Sequence, residues 1–182
     1  MRSRIKKVSL IAYIVLVIAI TQLPINVSFA YIGVSNLEFN FTPFYCMLHV
    51  AEIFNEIIAN GLSLKDYFLP VLKDHLQNFI LNILLFFPFG CLLTINIRKS
   101  NVWKVMLGSF LFSLALETLQ VIEMIFSLTH GRAFDIDDMI ANTIGGILGF
   151  FFVILWTKMV KSRLNSSGIE YELHSDRDGK YQ

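Results

Sequence analysis

Polar side chains that interrupt long apolar stretches are the residues of this sequence best suited to chemistry. They form three pairs, namely Asn78 with Asn82, Glu117 with Gln120, and Asp138 with Asn142. Because the members of each pair are three or four positions apart, they share one face of a helix. Carboxamides and carboxylates grouped in this way can bind a polar ligand, and a carboxylate with a shifted pKa can transfer protons.

A short segment between the last two pairs adds an arginine and a further acid. Asp135 precedes an apolar stretch and is predicted to cap the N-terminus of a helix, where the helix dipole also favours Asp138. Arg132 can reach Glu117, Glu123 or Asp135. The sequence leaves open whether Glu117 and Arg132 form a functional site or a structural salt bridge.

The elements that must position these side chains are four long apolar stretches. Apolar residues make up 55% of the chain and charged residues 16%, whereas soluble chains carry about 25% charged residues. Crossing a bilayer takes roughly 20 mostly apolar residues in a helix. Suitable stretches run over about 8–23, 76–97, 102–126 and 138–160. The sequence therefore predicts an all-α membrane protein, a four-transmembrane-helix bundle.

The first stretch has two interpretations. Its basic start and Ser28-Phe29-Ala30 resemble a secretory signal with a cleavage site. Pro24 and the long distance from the apolar core to Ala30 favour an uncleaved membrane anchor instead. Under that interpretation residues 1–7 are a basic N-terminus, 8–160 the transmembrane domain with an outer loop at 24–75, and 161–182 a flexible tail.

The basic residues predict the orientation, because Lys and Arg accumulate in cytoplasmic segments. Of the 15 Lys and Arg residues, all but three fall at the two termini or between spans two and three. The exceptions, on the opposite side, are Lys65, Lys73 and Arg132. We therefore expect a multi-pass protein of the cell membrane with both termini in the cytoplasm.

The outer loop contains an amphipathic helix. Its apolar stripe consists of Val50, Ile53, Phe54, Ile57 and Ile58, which recur at helical spacing. A glycine at position 61 marks its end. The helix either covers apolar surfaces of the spans or lies at the outer interface, where it can contact lipid or a ligand.

The polar pairs converge on one level of the predicted bundle. With a rise of about 1.5 Å per residue, Asn82, Gln120 and Asn142 lie roughly 8–9 Å below the outer surface and Glu117 roughly 14 Å. This convergence predicts a polar pocket open to the outside. The alternative is that the amides only join the spans by hydrogen bonds.

Other signals for chemistry are weak. No metal-binding motif, phosphate-binding loop or nucleophile motif occurs, so we predict no metal ion and no cofactor. The basic residues are explained by topology, which argues against a nucleic-acid partner. Gly145 and Gly149 have the spacing of helix-packing positions, and they also offer a face for a homo-oligomer.

Four segments of the sequence have the pattern of a known family, namely NFTPF at 40–44, NILLFFPFG at 82–90, ETLQ at 117–120 and GRAFDIDDMIANTIGG at 131–146. Through these segments the sequence resembles the VanZ-like family of bacterial membrane proteins. Their order and spacing agree with the family from about residue 8 to 160. The characteristic polar positions of the family fall here on Asn82, Glu117, Gln120, Arg132, Asp135, Asp138 and Asn142.

The resemblance implies low-level resistance to glycopeptide antibiotics of the teicoplanin kind, by limiting their binding at the cell surface. Three functions remain open. The first is a non-catalytic envelope protein whose pocket binds a glycopeptide or a lipid-linked cell-wall precursor. The second is a membrane enzyme acting on such a precursor with Glu117 or Asp138 as acid or base, and the third is a small transporter. Membrane lipids are partners in all three.

Overall fold

The structure, a computed structural model, describes residues 2–22, 39–126 and 134–166. This part of the chain consists almost entirely of helices, together with two strands of two residues each. The helices are α1 (Arg2–Gln22), α2 (Tyr45–Ala59), α3 (Leu69–Asn96), α4 (Val102–Ile125) and α5 (Ile136–Ser166), and the strands are β1 (Phe39–Asn40) and β2 (Phe134–Asp135). A π-helical turn over Leu64–Phe68 leads directly into α3.

Four helical segments of the described chain are long and apolar enough to cross a membrane. They are Arg4–Gln22, Leu64–Asn96, Val102–Ile125 and Ile136–Leu164. Their outward surfaces carry large apolar side chains such as Leu84 and Leu111, which are 59% and 52% exposed. Contiguous apolar surface of this extent is unfavourable in water but matches lipid. The predicted all-α fold with four spans is confirmed.

Two helices extend beyond the predicted spans. α3 begins at Leu69, before the predicted start of the apolar stretch, and its first turns include Lys73 and Asp74. α5 continues to Ser166, so the first residues of the predicted flexible tail are helical. Cations close to a helix C-terminus, here Arg163, favour such an extension. The rest of that tail, 167–182, lies outside the described residues.

The bundle is organised around α3, which packs most extensively against α5. The central buried cluster comprises Val17 of α1, Phe86 and Phe89 of α3, and Leu116 of α4. Tyr13 of α1 also donates a hydrogen bond of 2.8 Å to the Leu85 carbonyl.

Glycines allow α3 and α5 to approach closely. A Cβ atom on Gly145 would lie 2.3 Å from the Ile83 carbonyl oxygen, and one on Gly149 would lie 2.3 Å from that of Phe87. The packing role predicted for Gly145 and Gly149 is therefore fulfilled inside the chain. The face that they offered for a homo-oligomer is already occupied by α3.

The predicted amphipathic helix is α2. It ends where Gly61 adopts a left-handed φ of 63° and the Leu62 N–H reaches the Ile57 carbonyl at 2.9 Å, a common way of closing a helix. Ile57 is buried, whereas Ile58 on the same stripe is 56% exposed. α2 therefore covers part of the bundle with one edge of its stripe and leaves the other edge open.

Two ring contacts hold α2 at this end of the molecule, which we call the α2 end. His49 Nδ1 lies 3.1 Å from Nε2 of His75, at the start of α3. Farther along α2, the Phe54 ring meets the edge of the Phe68 ring at a centroid distance of 5.1 Å.

Candidate functional site

At the α2 end, the chain preceding α2 pairs with the segment that enters α5. β1 and β2 run parallel, with Phe39 opposite Phe134 and Asn40 opposite Asp135. The Asn40 side chain donates a hydrogen bond of 3.0 Å to Asp135 Oδ1. Phe41 packs its ring on Phe134 at 5.4 Å. Residues 39–44, which we call the strap, are thereby held across this end of the bundle.

Asp135 joins the strap to α5. Its Oδ1 also accepts the backbone N–H of Asp137 at 2.8 Å, which is the bond of a helix N-cap. The capping role predicted for Asp135 is confirmed. Burial raises the pKa of the Asp135 carboxyl above its usual value, although the hydrogen bonds from Asp137 and Asn40 act in the opposite direction.

Asp137 fixes the other end of the strap. Its Oδ1 accepts the backbone N–H of Phe44. Phe44 has a left-handed φ of 59°, which costs a residue with a side chain about 1–2 kcal/mol. Asp137 is only 4% exposed, and a buried carboxylate is unfavourable without hydrogen-bond donors. The Phe44 N–H supplies such a donor, and this bond offsets the cost of the left-handed backbone.

Deeper in the molecule, two further carboxylates connect the spans. Asn82 of α3 donates a hydrogen bond of 2.6 Å to Asp138 of α5. Glu117 of α4 is only 2% exposed, and its Oε2 accepts the backbone N–H of Asp135 at 3.1 Å. Glu117 therefore holds β2 through a hydrogen bond to its backbone. The predicted pairing of Glu117 with Arg132 lies outside the described residues.

These contacts surround a cavity of about 800 Å³. Its lining combines aromatic side chains with carboxamides and carboxylates. The described residues that line it are Phe39, Asn40, Phe41, Thr42, Tyr45, His75, Asn78, Phe79, Leu81, Asn82, Asp135, Asp137 and Asp138. None of them is a lysine or an arginine, so the described lining is acidic.

The predicted site residues take different places around this cavity. Asn78, Asn82, Asp135 and Asp138 line it. Glu117 and Asn142 are buried and do not line it. Gln120 is half-buried and stands apart from the lining, whereas Arg132 is outside the described residues.

The strap and His75 were not predicted from the sequence. Asn40 belongs to the NFTPF segment of the family resemblance, and this was the signal available for the strap, although no role followed from it. Asp137 was not among the predicted site residues. Hydropathy gave no sign that a segment so far along the chain from α5 would form one wall of the cavity.

Chemically, the cavity can bind a ligand that has both apolar and polar groups. Aromatic rings bury apolar groups and attract cations, while carboxylates and carboxamides accept and donate hydrogen bonds. In the described part of the chain, no three His, Cys, Asp or Glu residues are placed to hold a metal ion.

Fold and geometry together define a class of protein, a four-span helical membrane protein with an acidic cavity at one end. A model of the VanZ/LLP1 family matches residues 10–157, and the chain belongs to this family. It is 41% identical over 69 residues to Protein VanZ of Enterococcus faecium. That similarity covers 37% of this chain and 38% of the relative. No solved structure matches the chain.

Proposed function

We propose that this protein lowers the binding of teicoplanin-type glycopeptide antibiotics at the surface of a bacterial cell, and that the acidic cavity is the site it uses. The VanZ/LLP1 family match and the similarity to Protein VanZ support the antibiotic class. The cavity supports the mode of action, because it offers a binding site for an amphiphilic ligand.

The proposal places the cavity on the outer face of the cell membrane. The N-terminus of α1 and the connection between α3 and α4 lie at the opposite end of the bundle from α2, as the hydrogen bond from Asn96 to the Lys6 carbonyl shows. That end contains Arg98, Lys99 and Lys104, and such basic segments stay in the cytoplasm. The α2 end would then face outward.

The charge of the cavity lining is the strongest support for this proposal. Asp135, Asp137 and Asp138 meet there with no lysine or arginine among the described lining residues. This charge repels phosphate groups, whereas neutral hydroxyls, amides and cationic groups are compatible with it. A lipid-linked cell-wall precursor carries phosphate, so the lining favours the amphiphilic glycopeptide as the ligand.

A susceptibility panel tests the function and the site together. We expect deletion of the gene to increase sensitivity to lipophilic glycopeptides, and Asp138→Asn and Glu117→Ala to resemble the deletion at normal protein levels. Glu56→Gln is the matched control, because Glu56 is an exposed carboxylate of α2 outside the cavity. Unchanged sensitivity of the deletion strain, in a host that makes the protein, would contradict the proposal.

A membrane enzyme or small transporter acting on a lipid-linked precursor is the alternative. The contact of Asp138 with Asn82 inside the cavity is the observation that favours it, because a held carboxylate suits acid–base chemistry. Purified protein incubated with such a precursor distinguishes the two functions. Product that forms with the wild type and disappears with Asp138→Asn would establish the enzyme.

A further inference from the structure

A line of polar residues continues inward from the cavity between α4 and α5. We call it the seam, and its members are Ser109, Ser113 and Glu117 on α4 and Asn142 on α5. The α4 members are four positions apart, so they share one helix face. The Asn142 amide donates a hydrogen bond of 2.8 Å to Ser113 Oγ, which fixes the register of the two helices.

Two polar atoms of the seam have no hydrogen-bond partner in the described part of the chain, Asn142 Oδ1 and Ser109 Oγ. Both residues are deeply buried, with exposures of 5% for Asn142 and 0% for Ser109. A buried polar atom without a partner loses its bonds to water and gains nothing in return. These two atoms therefore indicate a ligand that can bond to both.

Ser109 does not make the hydrogen bond within its own helix that other hydroxyls of the spans make. Thr94, Thr118 and Thr143 each donate to the carbonyl oxygen four residues earlier in their own helices. Ser109 Oγ instead points to α5, so close that a Cβ atom on Gly146 would lie 2.0 Å from it. The glycine thus leaves room for this hydroxyl at the helix interface.

The two atoms lie at neighbouring turns of the interface between α4 and α5. Asn142 is bonded to Ser113, and Ser109 lies one helical turn from Ser113, which is about 6 Å. A single water molecule can make hydrogen bonds of about 2.8 Å to two polar atoms at once. Buried waters of this kind are regular parts of folded proteins.

We propose that a water molecule is bound in the seam, where it accepts the Ser109 hydroxyl proton in a hydrogen bond and donates to Asn142 Oδ1. The water extends the polar network of the cavity about two helical turns beyond Glu117, to Ser109, toward the middle of the membrane. This proposal is independent of what the cavity binds, because its partners do not line the cavity.

A double-mutant cycle on the purified full-length protein in detergent tests the water. Removing a hydroxyl that bonds to a bridging water lowers stability, whereas removing an unsatisfied hydroxyl raises it. We expect Ser109→Ala to lower the unfolding midpoint by about 2–4 °C. In an Asn142→Leu background the same change should have no such effect, because the bridge is already lost.

Thr118→Val is the matched control, since it removes an exposed hydroxyl bonded within its own helix, and it should leave the midpoint nearly unchanged. A higher midpoint for Ser109→Ala, or an equal effect in both backgrounds, would overturn the proposal. If Asn142→Leu does not fold, a high-resolution experimental structure decides. Density for a water within hydrogen-bond distance of both atoms supports the proposal, and its absence at adequate resolution refutes it.

Discussion

At the scale of single residues, Asp135 connects three parts of the chain that are far apart in sequence. Its carboxylate caps α5 and accepts the Asn40 side chain of the strap, while its backbone N–H donates to Glu117 of α4. A neutral side chain of the same shape retains an acceptor for the first two bonds. Charge and hydrogen bonding at this position can therefore be separated experimentally.

Asp135→Asn should change how stability depends on pH. Burial raises the pKa of Asp135 from its ordinary value of 3.8, so the folded protein holds this proton more tightly than the unfolded chain does. The resulting stabilisation is present below the unfolded pKa and is lost as the pH rises through the folded pKa. As the pH rises above the unfolded value, the unfolding midpoint should fall less steeply for Asp135→Asn than for wild type.

The measurement is thermal unfolding in detergent at a series of pH values. Asp66→Asn provides the matched control for removal of a carboxylate, because Asp66 is exposed and lies outside the cavity. If Asp135→Asn retains the wild-type slope, Asp135 does not titrate over these pH values.

At the scale of helices, the contact between α3 and α5 depends on backbones that almost touch. A Cβ atom on Gly149 would meet the Phe87 carbonyl oxygen at 2.3 Å and the Cys91 nitrogen at 2.7 Å. Displacing backbone atoms in packed helices costs considerable free energy. We expect Gly149→Ala to destabilise the protein by about 1–3 kcal/mol or to prevent folding.

Gly108 offers a comparison within the same bundle. A Cβ atom there would meet Leu93 Cδ2 at 2.7 Å, but this atom is the end of a flexible side chain. Gly108→Ala should therefore be tolerated much better than Gly149→Ala when unfolding midpoints and yields from membranes are compared. Equal effects of the two substitutions would show that the close approach of α3 and α5 is not required.

The spans could be predicted from the sequence because their determinant, a long apolar run, is local. The strap could not, since the pairing of Asn40 with Asp135 joins segments that are distant in the chain and only two residues long. Depth counting placed Asn82 and Gln120 at one level but not on one face. None of the described lining residues belongs to α4, so neither Gln120 nor Glu117 reaches the cavity.

At the scale of the whole molecule, charge is divided between the two ends of the bundle. The acids of the cavity lie at the α2 end, and basic residues such as Lys6 and Lys104 lie at the other end. A net charge of only +1 conceals this separation. It has a functional consequence, because a cavity at the α2 end can meet an antibiotic outside the cell only if that end faces outward.

Cysteine labelling in intact cells tests this orientation. In a background with Cys46→Ser and Cys91→Ala, single cysteines are introduced as Glu56→Cys on α2 and Lys99→Cys between α3 and α4, both exposed positions. Because basic segments resist translocation, a membrane-impermeant thiol reagent should label the Glu56→Cys protein directly. It should label the Lys99→Cys protein only after the cells are permeabilised. The reverse pattern would turn the cavity toward the cytoplasm, and the proposed action on an external antibiotic would fail with it.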